Sequence, residues 1–243
     1  MPLILGSLID AQTFGAPSLL NEIDSLITKH QLNEAQEKIR LGLKDKNNDY
    51  ELLCRASRVL LFLADLKTDK KEQLNIYNEA MSFAEQAIAS RPDGMNGYIR
   101  RAAANGKLAL FKGILGARES VLQVKKDAEK AIELKNDTAE SLALANYILG
   151  RTHLKLTETP KVVRNTMGLG WGTLEDSIKL LETSLSLHPK MLKSKLELSK
   201  AYLKATRKQD AKKQLLEIAS MQEIEFGDDL VKKESEAFLK TIN

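Results

Sequence analysis

The residues of this sequence that could do chemistry begin with one cysteine and three histidines. Cys54 is the single thiol, and a thiol becomes a nucleophile when a nearby base or positive charge lowers its pKa. Its apolar neighbours in a predicted helix favour a small buried side chain instead. His30, His153 and His188 are far apart in the sequence, in no spacing typical of a zinc site. We therefore predict no catalytic residue, metal ligand or cofactor site, and expect no enzymatic activity.

A glycine-rich segment is the remaining candidate for chemistry. Residues 168–172 contain three glycines, and exposed backbone amides at a helix start can hold a phosphate. The segment has neither the P-loop spacing nor the dinucleotide-binding spacing. Thr173 and Asp176 instead predict a helix start with Thr173 as the N-cap. We interpret the segment as a loop whose Trp171 folds back on the domain.

Composition limits the fold that could position such residues. Glycine and proline are scarce, with 13 and 5 residues, and aromatic residues make up 5% of the chain. A β-sandwich or barrel needs turn residues and β-branched or aromatic strands, so this composition favours helices.

The formal net charge of +4 is spread along the chain, whereas nucleic-acid-binding domains usually concentrate their basic residues. A single cysteine cannot form an internal disulfide, so no oxidising compartment is required.

Small residues and helix-ending residues recur at fixed offsets. Ala80, Ala84, Ala87 and Pro92 stand at relative positions 0, +4, +7 and +12. The same offsets start again at Ala35, Val124, Ser177 and Ala211. The first three positions share one helix face, and the last ends the helix. An apolar helix precedes each one, as in a tetratricopeptide repeat. The sequence therefore predicts an all-α, tetratricopeptide-like α-solenoid, a right-handed superhelix of about five antiparallel helix pairs in one domain over residues 16–243.

The spacing of the repeats is irregular. The helix-ending positions Asn47, Pro92, Asn136, Pro189 and Glu223 give spacings of 45, 44, 53 and 34 residues. The last spacing alone equals the 34 residues of a tetratricopeptide repeat. We predict the surplus to form insertions between the two helices of units two, three and four, at residues 67–72, 112–120 and 157–172. Such insertions lie on one face of a solenoid, which is often the binding face.

Several helix-packing runs of this chain resemble a known family. These runs are residues 70–71, 76–80, 84–87, 127–134, 149–151, 173–177, 198–202 and 212–213. In combination, from about Asp49 onward, they are similar to the regulator of microtubule dynamics family. The resemblance implies a tetratricopeptide-like helical protein, whose animal relatives associate with microtubules and in some cases with organelle membranes. Similar domains occur in bacteria, so a microtubule role is expected only for a eukaryotic source.

Binding residues are predicted on two surfaces. The first helix of each unit lines the concave groove of a tetratricopeptide array, and the insertions map to one face that is often a binding face. The groove candidates are Arg55, Arg58, Arg101, Asn105, Asn146 and Arg151, with Arg100 and Lys155 on the same helices. The insertion candidates are Met167, Leu169 and Trp171. Because arginine side chains bind carboxylates with two hydrogen bonds, we expect an acidic peptide or a C-terminal carboxylate in the groove.

The leading functional hypothesis is a noncatalytic scaffold that binds a partner protein or peptide in the groove and the insertions. A helical-repeat nucleic-acid binder is one alternative, although no nucleic-acid partner is expected, and a small-ligand carrier that uses the groove is another. Oligomeric state is left open.

The N-terminal segment, residues 1–15, is predicted to lie outside the repeats. Its apolar run at residues 3–9 resembles the end of a secretory signal but lacks a positively charged start. We expect a cytoplasmic location; a clipped signal peptide at residues 1–11 would indicate a periplasmic or secreted protein instead. No apolar run approaches the roughly 18 residues of a spanning helix, so no transmembrane segment is expected.

Overall fold

A computed structural model describes residues 18–113 and 116–242. These residues form twelve α helices and no β strand. The helices are α1 (Leu19–Thr28), α2 (Leu32–Asp45), α3 (Tyr50–Asp65), α4 (Lys70–Ser90), α5 (Met95–Lys112), α6 (Arg118–Leu134), α7 (Ala139–Leu156), α8 (Lys161–Thr166), α9 (Leu174–Leu187), α10 (Leu192–Lys204), α11 (Lys208–Ser220) and α12 (Asp228–Thr241). The predictions for residues 1–15, including the signal-peptide alternative, lie outside the described residues.

The helices pack as five consecutive antiparallel pairs. The pairs are α1 with α2, α3 with α4, α5 with α6, α7 with α9, and α10 with α11. Short connections make four of these pairs antiparallel. The helices α7 and α9 are joined by a longer segment and are also antiparallel, because Leu156 at the end of α7 lies against Gly172 while Gly150 lies against Leu181. The predicted tetratricopeptide-like solenoid is confirmed. Two helices lie outside the pairs: the short α8 belongs to the insertion of unit four, and α12, which the offsets did not predict, packs on α10 and α11.

The predicted offsets mark the buried face of each second helix. At these positions the following residues are at most 3% exposed: Ala35, Ile39, Ala80, Ala84, Ala87, Val124, Ala128, Ala131, Ser177, Leu181, Ser184, Ala211, Leu215 and Ile218. Small side chains there let the paired helix approach closely. Gly150 of α7 shows how close, because a Cβ atom added to it would lie 2.9 Å from Cγ of Leu181 on α9.

The core is a series of apolar clusters, each joining neighbouring pairs. One cluster joins α1, α2 and α3 around Ile23 and Val59, and another joins α5, α6 and α7 around Ile99 and Ala128. Each fully buried large aliphatic side chain stabilises the fold by about 1.5–3 kcal/mol. Within the described part of the chain, no helix is both long and apolar enough to cross a membrane.

The surplus residues of the long units lie in two kinds of structure. In units two and three they mainly lengthen helices, since α4 has 21 residues, α5 has 18 and α6 has 17, against 13 each in α10 and α11. The insertions predicted at residues 67–72 and 112–120 therefore have the wrong bounds, because α4 already begins at Lys70 and α6 already begins at Arg118. In unit four the surplus forms an inter-helix insertion, as predicted, and it contains α8. Thr173 is the N-cap of α9, as predicted, and its Oγ1 accepts a hydrogen bond from Asp176 N at 3.1 Å.

Candidate binding groove

The first helix of each pair lines one continuous surface. Helices α1, α3, α5, α7, α10 and α12 contact one another in that order, and each second helix packs against the outer side of this row. This is the arrangement that makes the inner side of a solenoid concave. We call the surface formed by α3, α5, α7 and α10 on that side the inner groove. It contains arginines that are paired with carboxylates at both ends of the groove and others in the middle that, among the described residues, are not.

At its N-terminal end, the groove has paired charges. Arg55 of α3 donates two hydrogen bonds to Asp24 of α1, with Nε–Oδ1 at 3.0 Å and Nη2–Oδ2 at 2.7 Å. A third bond joins Arg55 Nη1 to Oε2 of Glu51 at 2.9 Å. With a further bond from Nη1 to the backbone carbonyl of Glu51 at 3.1 Å, Arg55 uses four of its five N–H donors. Arg55 therefore joins α1 to α3, and a ligand carboxylate would have to compete with two internal carboxylates.

The C-terminal end is also paired. Arg151 of α7 contacts Glu197 of α10, with Nε–Oε1 at 3.3 Å. Lys200 lies 3.0 Å from the same Glu197 oxygen and 2.8 Å from Glu234 of α12. Glu197 is 4% exposed, so its charge depends on these two cations. The network joins α7, α10 and α12 and gives Arg151 an internal carboxylate partner through its Nε.

The middle of the groove has an excess of positive charge. Among the described residues, Arg58 of α3 and Arg100 of α5 form no side-chain hydrogen bond and no ion pair, although Nε of Arg100 is buried. Burial and the nearby charge of Arg58 lower the pKa of Arg100 to about 10. Burial is also the main reason why the pKa of Arg58 is lowered. Both groups remain cationic at neutral pH, so an anion that reaches them would satisfy their unused donors.

Three other predicted groove residues have internal hydrogen-bond partners. Arg101 donates to both oxygens of Asp127 on α6 at 2.8 Å, and therefore lies toward the second helix of its pair. The buried amide of Asn105 donates to the carbonyl of Arg101, and that of Asn146 to the carbonyl of Leu142. These bonds give the two buried amides partners within their own helices.

A segment of the chain itself crosses the inner groove. We call residues 221–227, between α11 and α12, the crossing segment. Phe226 stacks on Phe62 of α3, with ring centroids 4.8 Å apart, and meets His30 edge-on at 5.3 Å. Oε2 of Glu225 accepts a hydrogen bond from Nζ of Lys193 on α10 at 2.6 Å. The last unit of the solenoid therefore reaches its first two units.

The insertion candidates are held in the fold to different degrees. Leu169 has no exposed surface and packs with Leu156 in a small core. Met167 and Trp171 are half-buried, and Trp171 contacts the His153 ring edge-on at 5.0 Å. The buried Arg164 donates to the carbonyls of Thr159 and Gly172 and so holds both ends of the insertion together. Leu169 cannot contact a partner without leaving the core.

Cys54 and His153 are buried. Burial raises the pKa of Cys54 to about 11, which keeps it as a thiol. Burial lowers the pKa of His153, whose Nδ1 accepts a hydrogen bond from Thr173 N at 3.1 Å. In residues 18–113 and 116–242, no group of three or more histidine, cysteine or acidic side chains is arranged to hold a metal ion.

Comparison with solved structures agrees with the fold. A tetratricopeptide protein of Thermus thermophilus, TTC0263, is 15% identical, with a TM-score of 0.64 over 90% of this chain and 97% of that one. MamA of Desulfovibrio magneticus RS-1 is 16% identical, with a TM-score of 0.48 over 82% and 90% of the two chains. YrrB, described as a tetratricopeptide protein with an unusual peptide-binding site, is 13% identical, with a TM-score of 0.46 over 90% of each chain. The similarity to TTC0263, at 15% identity, shows the tetratricopeptide fold alone.

Comparison of sequences identifies a family. The family model described as regulator of microtubule dynamics protein 1-3 matches residues 19–243. The match includes all five helix pairs and α12. Among curated proteins, none matches this sequence.

Proposed function

Because this chain belongs to the regulator of microtubule dynamics family, we propose that it is a noncatalytic scaffold that binds an acidic segment of a partner protein in its inner groove. The observation that supports this proposal best is the pair Arg58 and Arg100, neither of which forms a side-chain hydrogen bond or ion pair among the described residues. Nε of Arg100 is buried without an acceptor, and the Arg58 guanidinium lies over the Phe62 ring at 5.5 Å. The other groove arginines are already paired with carboxylates. The proposed contact therefore lies in the middle of the groove.

The chemistry of the two arginines suits a carboxylate. A guanidinium group offers a planar fork of donors that a carboxylate accepts with two parallel hydrogen bonds. Two like charges on neighbouring helices repel one another, and a bound anion would relieve that repulsion. Desolvation in the groove strengthens the attraction beyond that of an exposed ion pair. A glutamate or aspartate side chain, or a chain-terminal carboxylate, would meet these requirements.

A peptide-binding experiment tests the site. Fluorescein-labelled hexaglutamate is titrated with the protein, and binding is followed by fluorescence anisotropy, with hexaglutamine as the uncharged probe. We expect hexaglutamate to bind more tightly, and its affinity to fall as salt screens the charges. Replacing both groove residues, as Arg58→Gln with Arg100→Gln, is expected to weaken binding at least tenfold, by about 1.4 kcal/mol or more.

A matched control removes the same charge elsewhere. Lys208 and Lys213 are exposed on α11, and the double variant Lys208→Gln with Lys213→Gln also lowers the net charge by two. It is expected to bind hexaglutamate nearly as well as the parent. Equal losses in the two double variants would show non-specific attraction and contradict the proposed site.

The family supports a finer proposal about the partner. Its description assigns members to the regulation of microtubule dynamics, and we propose a microtubule as the partner of this chain in a source that has microtubules. Cosedimentation with polymerised tubulin tests this, with the Arg58→Gln, Arg100→Gln variant beside the parent. Failure to cosediment would remove the microtubule but leave the acidic-peptide site standing.

A further inference from the structure

We propose that the crossing segment is an internal ligand of the inner groove, and that the partner peptide places an aromatic residue directly after an acidic one, as Glu225 and Phe226 do. This inference rests on the proposed function, since it specifies the peptide that the groove binds. The crossing segment shows which side chains the groove accepts.

The aromatic half of this ligand is Phe226. Its ring packs between Phe62 and His30 and joins the apolar cluster of the first two units, although it comes from the far end of the chain. Stacked and edge-on aromatic pairs at such distances are favourable beyond the area they bury. The groove therefore has a subsite for an aromatic ring beside α1 and α3.

The acidic half is Glu225. Burial opposes its charge, but the hydrogen bond and charge of Lys193, together with Arg58, outweigh it and lower the pKa of this carboxyl. Glu225 lies near enough for its charge to act on Arg58 and Arg100, yet its hydrogen bond goes to Lys193. One carboxylate thus faces three cations. A partner with its acidic group nearer Arg58 and Arg100 would accept hydrogen bonds from these two arginines, which Glu225 does not.

The segment is held in a way that permits exchange. Ile224 is 47% exposed, Phe226 is only half-buried, and Gly227 has a φ of +88°, where glycine is favoured. The carboxylate of Asp228 accepts hydrogen bonds from the backbone amides of Ile224 and Glu225 at 2.9 and 2.8 Å. This local turn can persist when Phe226 leaves its subsite. An internal ligand has a high effective concentration, so it lowers the apparent affinity for a partner by the fraction of grooves that it occupies.

The test supplies the segment in trans. A fluorescein-labelled peptide with the sequence of residues 221–228 is titrated with the full chain and with its Phe226→Ala variant, and binding is followed by anisotropy. We expect at least tenfold tighter binding to the variant, because its subsite is vacant. Alanine in the peptide at the position of Glu225 or of Phe226 is expected to abolish this gain.

Controls separate release of the segment from damage to the fold. Ile224→Ala changes an exposed neighbour and is expected to bind the peptide as weakly as the parent does. Circular dichroism checks that Phe226→Ala keeps its helices. If that variant does not fold, Glu225→Gln, which weakens the acidic contact alone, is titrated instead, with tighter binding than the parent again expected.

The outcomes distinguish this inference from the proposed function. Equal affinity for parent and variant, or no binding to the vacated groove, would overturn the inference, while hexaglutamate binding that depends on Arg58 and Arg100 would still support the function. The peptide could also bind the vacated groove with the same affinity after both arginines are replaced. That result would overturn the acidic site and retain the aromatic subsite.

Discussion

Arg100 and Arg101 are consecutive residues of α5, yet their guanidinium groups serve different surfaces. Arg101 donates two hydrogen bonds to Asp127 on α6, whereas Arg100 lies near Arg58, with no acceptor among the described residues. Consecutive helical residues are rotated by about 100°, which is enough to separate the two roles. One arginine has its carboxylate partner within the fold, and the other keeps unused donors.

We expect the two arginines to differ in their effect on stability. Arg101→Gln leaves the carboxylate of Asp127, 1% exposed, with only the amide of Gln123 as a donor. Loss of one member of a buried ion pair typically lowers the free energy of unfolding by about 3–5 kcal/mol. Arg100→Gln removes an unpaired charge and is expected to change stability little. Urea unfolding of the two variants measures the difference, and equal losses would contradict the assignment.

The alanines at the helix contacts give a second prediction. Ala84→Asp and Ala131→Asp each place a charge at a fully buried position, so we expect each to lower the free energy of unfolding by several kcal/mol, enough to unfold much of the protein. Ala89 is exposed on the same helix as Ala84, and Ala89→Asp is expected to cost little. Melting temperatures within a degree or two of the parent for the buried variants would show that these residues do not face the core.

The insertion offers a test with its own spectroscopic signal, because Trp171 is the single tryptophan of the chain. Arg164→Ala removes the donor to the carbonyls of Thr159 and Gly172. We expect the free energy of unfolding to fall by about 1–3 kcal/mol and the tryptophan emission of the folded variant to shift to the red. Val162→Ala, at a position that is 76% exposed, serves as the control. An unchanged spectrum in Arg164→Ala would show that Arg164 does not position Trp171.

Acid sensitivity follows from His153. Burial lowers its pKa in the folded state, so the unfolded state takes up a proton first as the pH falls below about 6.5. Stability is therefore fully present above that pH and decreases on acidification toward the folded-state pKa, by at most about 1.4 kcal/mol per pH unit for this group. We expect His153→Gln to lose this part of the pH dependence of the melting temperature. An identical pH profile in parent and variant would contradict it.

The second helices could be predicted from the sequence because their signal is local. The offsets that start at Ala80 and Val124 identified the buried face of α4 and α6 without any knowledge of a partner helix. Every residue needed for that prediction lies within one helix. The predicted fold and family depend on this local signal, and the comparisons confirm both.

The groove could not be predicted at the level of single residues. Whether an arginine is free depends on carboxylates distant in sequence, such as Asp24 for Arg55 and Asp127 for Arg101. Helix rotation separates Arg100 from Arg101, and no pattern in α5 shows which of them faces inward. Glu223 marks the end of the last repeat, but the residues after it carry no repeat signal, so nothing local indicated that Phe226 reaches α3.

The contact between Phe226 and Phe62 changes how this solenoid is expected to unfold. In an open array each repeat interacts only with its neighbours, so stability is distributed along one dimension and terminal repeats can fray independently. Here a terminal connection is bound to the opposite end of the array, and the ends are coupled. Fraying of α1 and α2 weakens the site that holds the segment before α12, and release of that segment exposes apolar surface on α3. The coupling favours a single cooperative unfolding transition, whereas repeat proteins can unfold one part at a time.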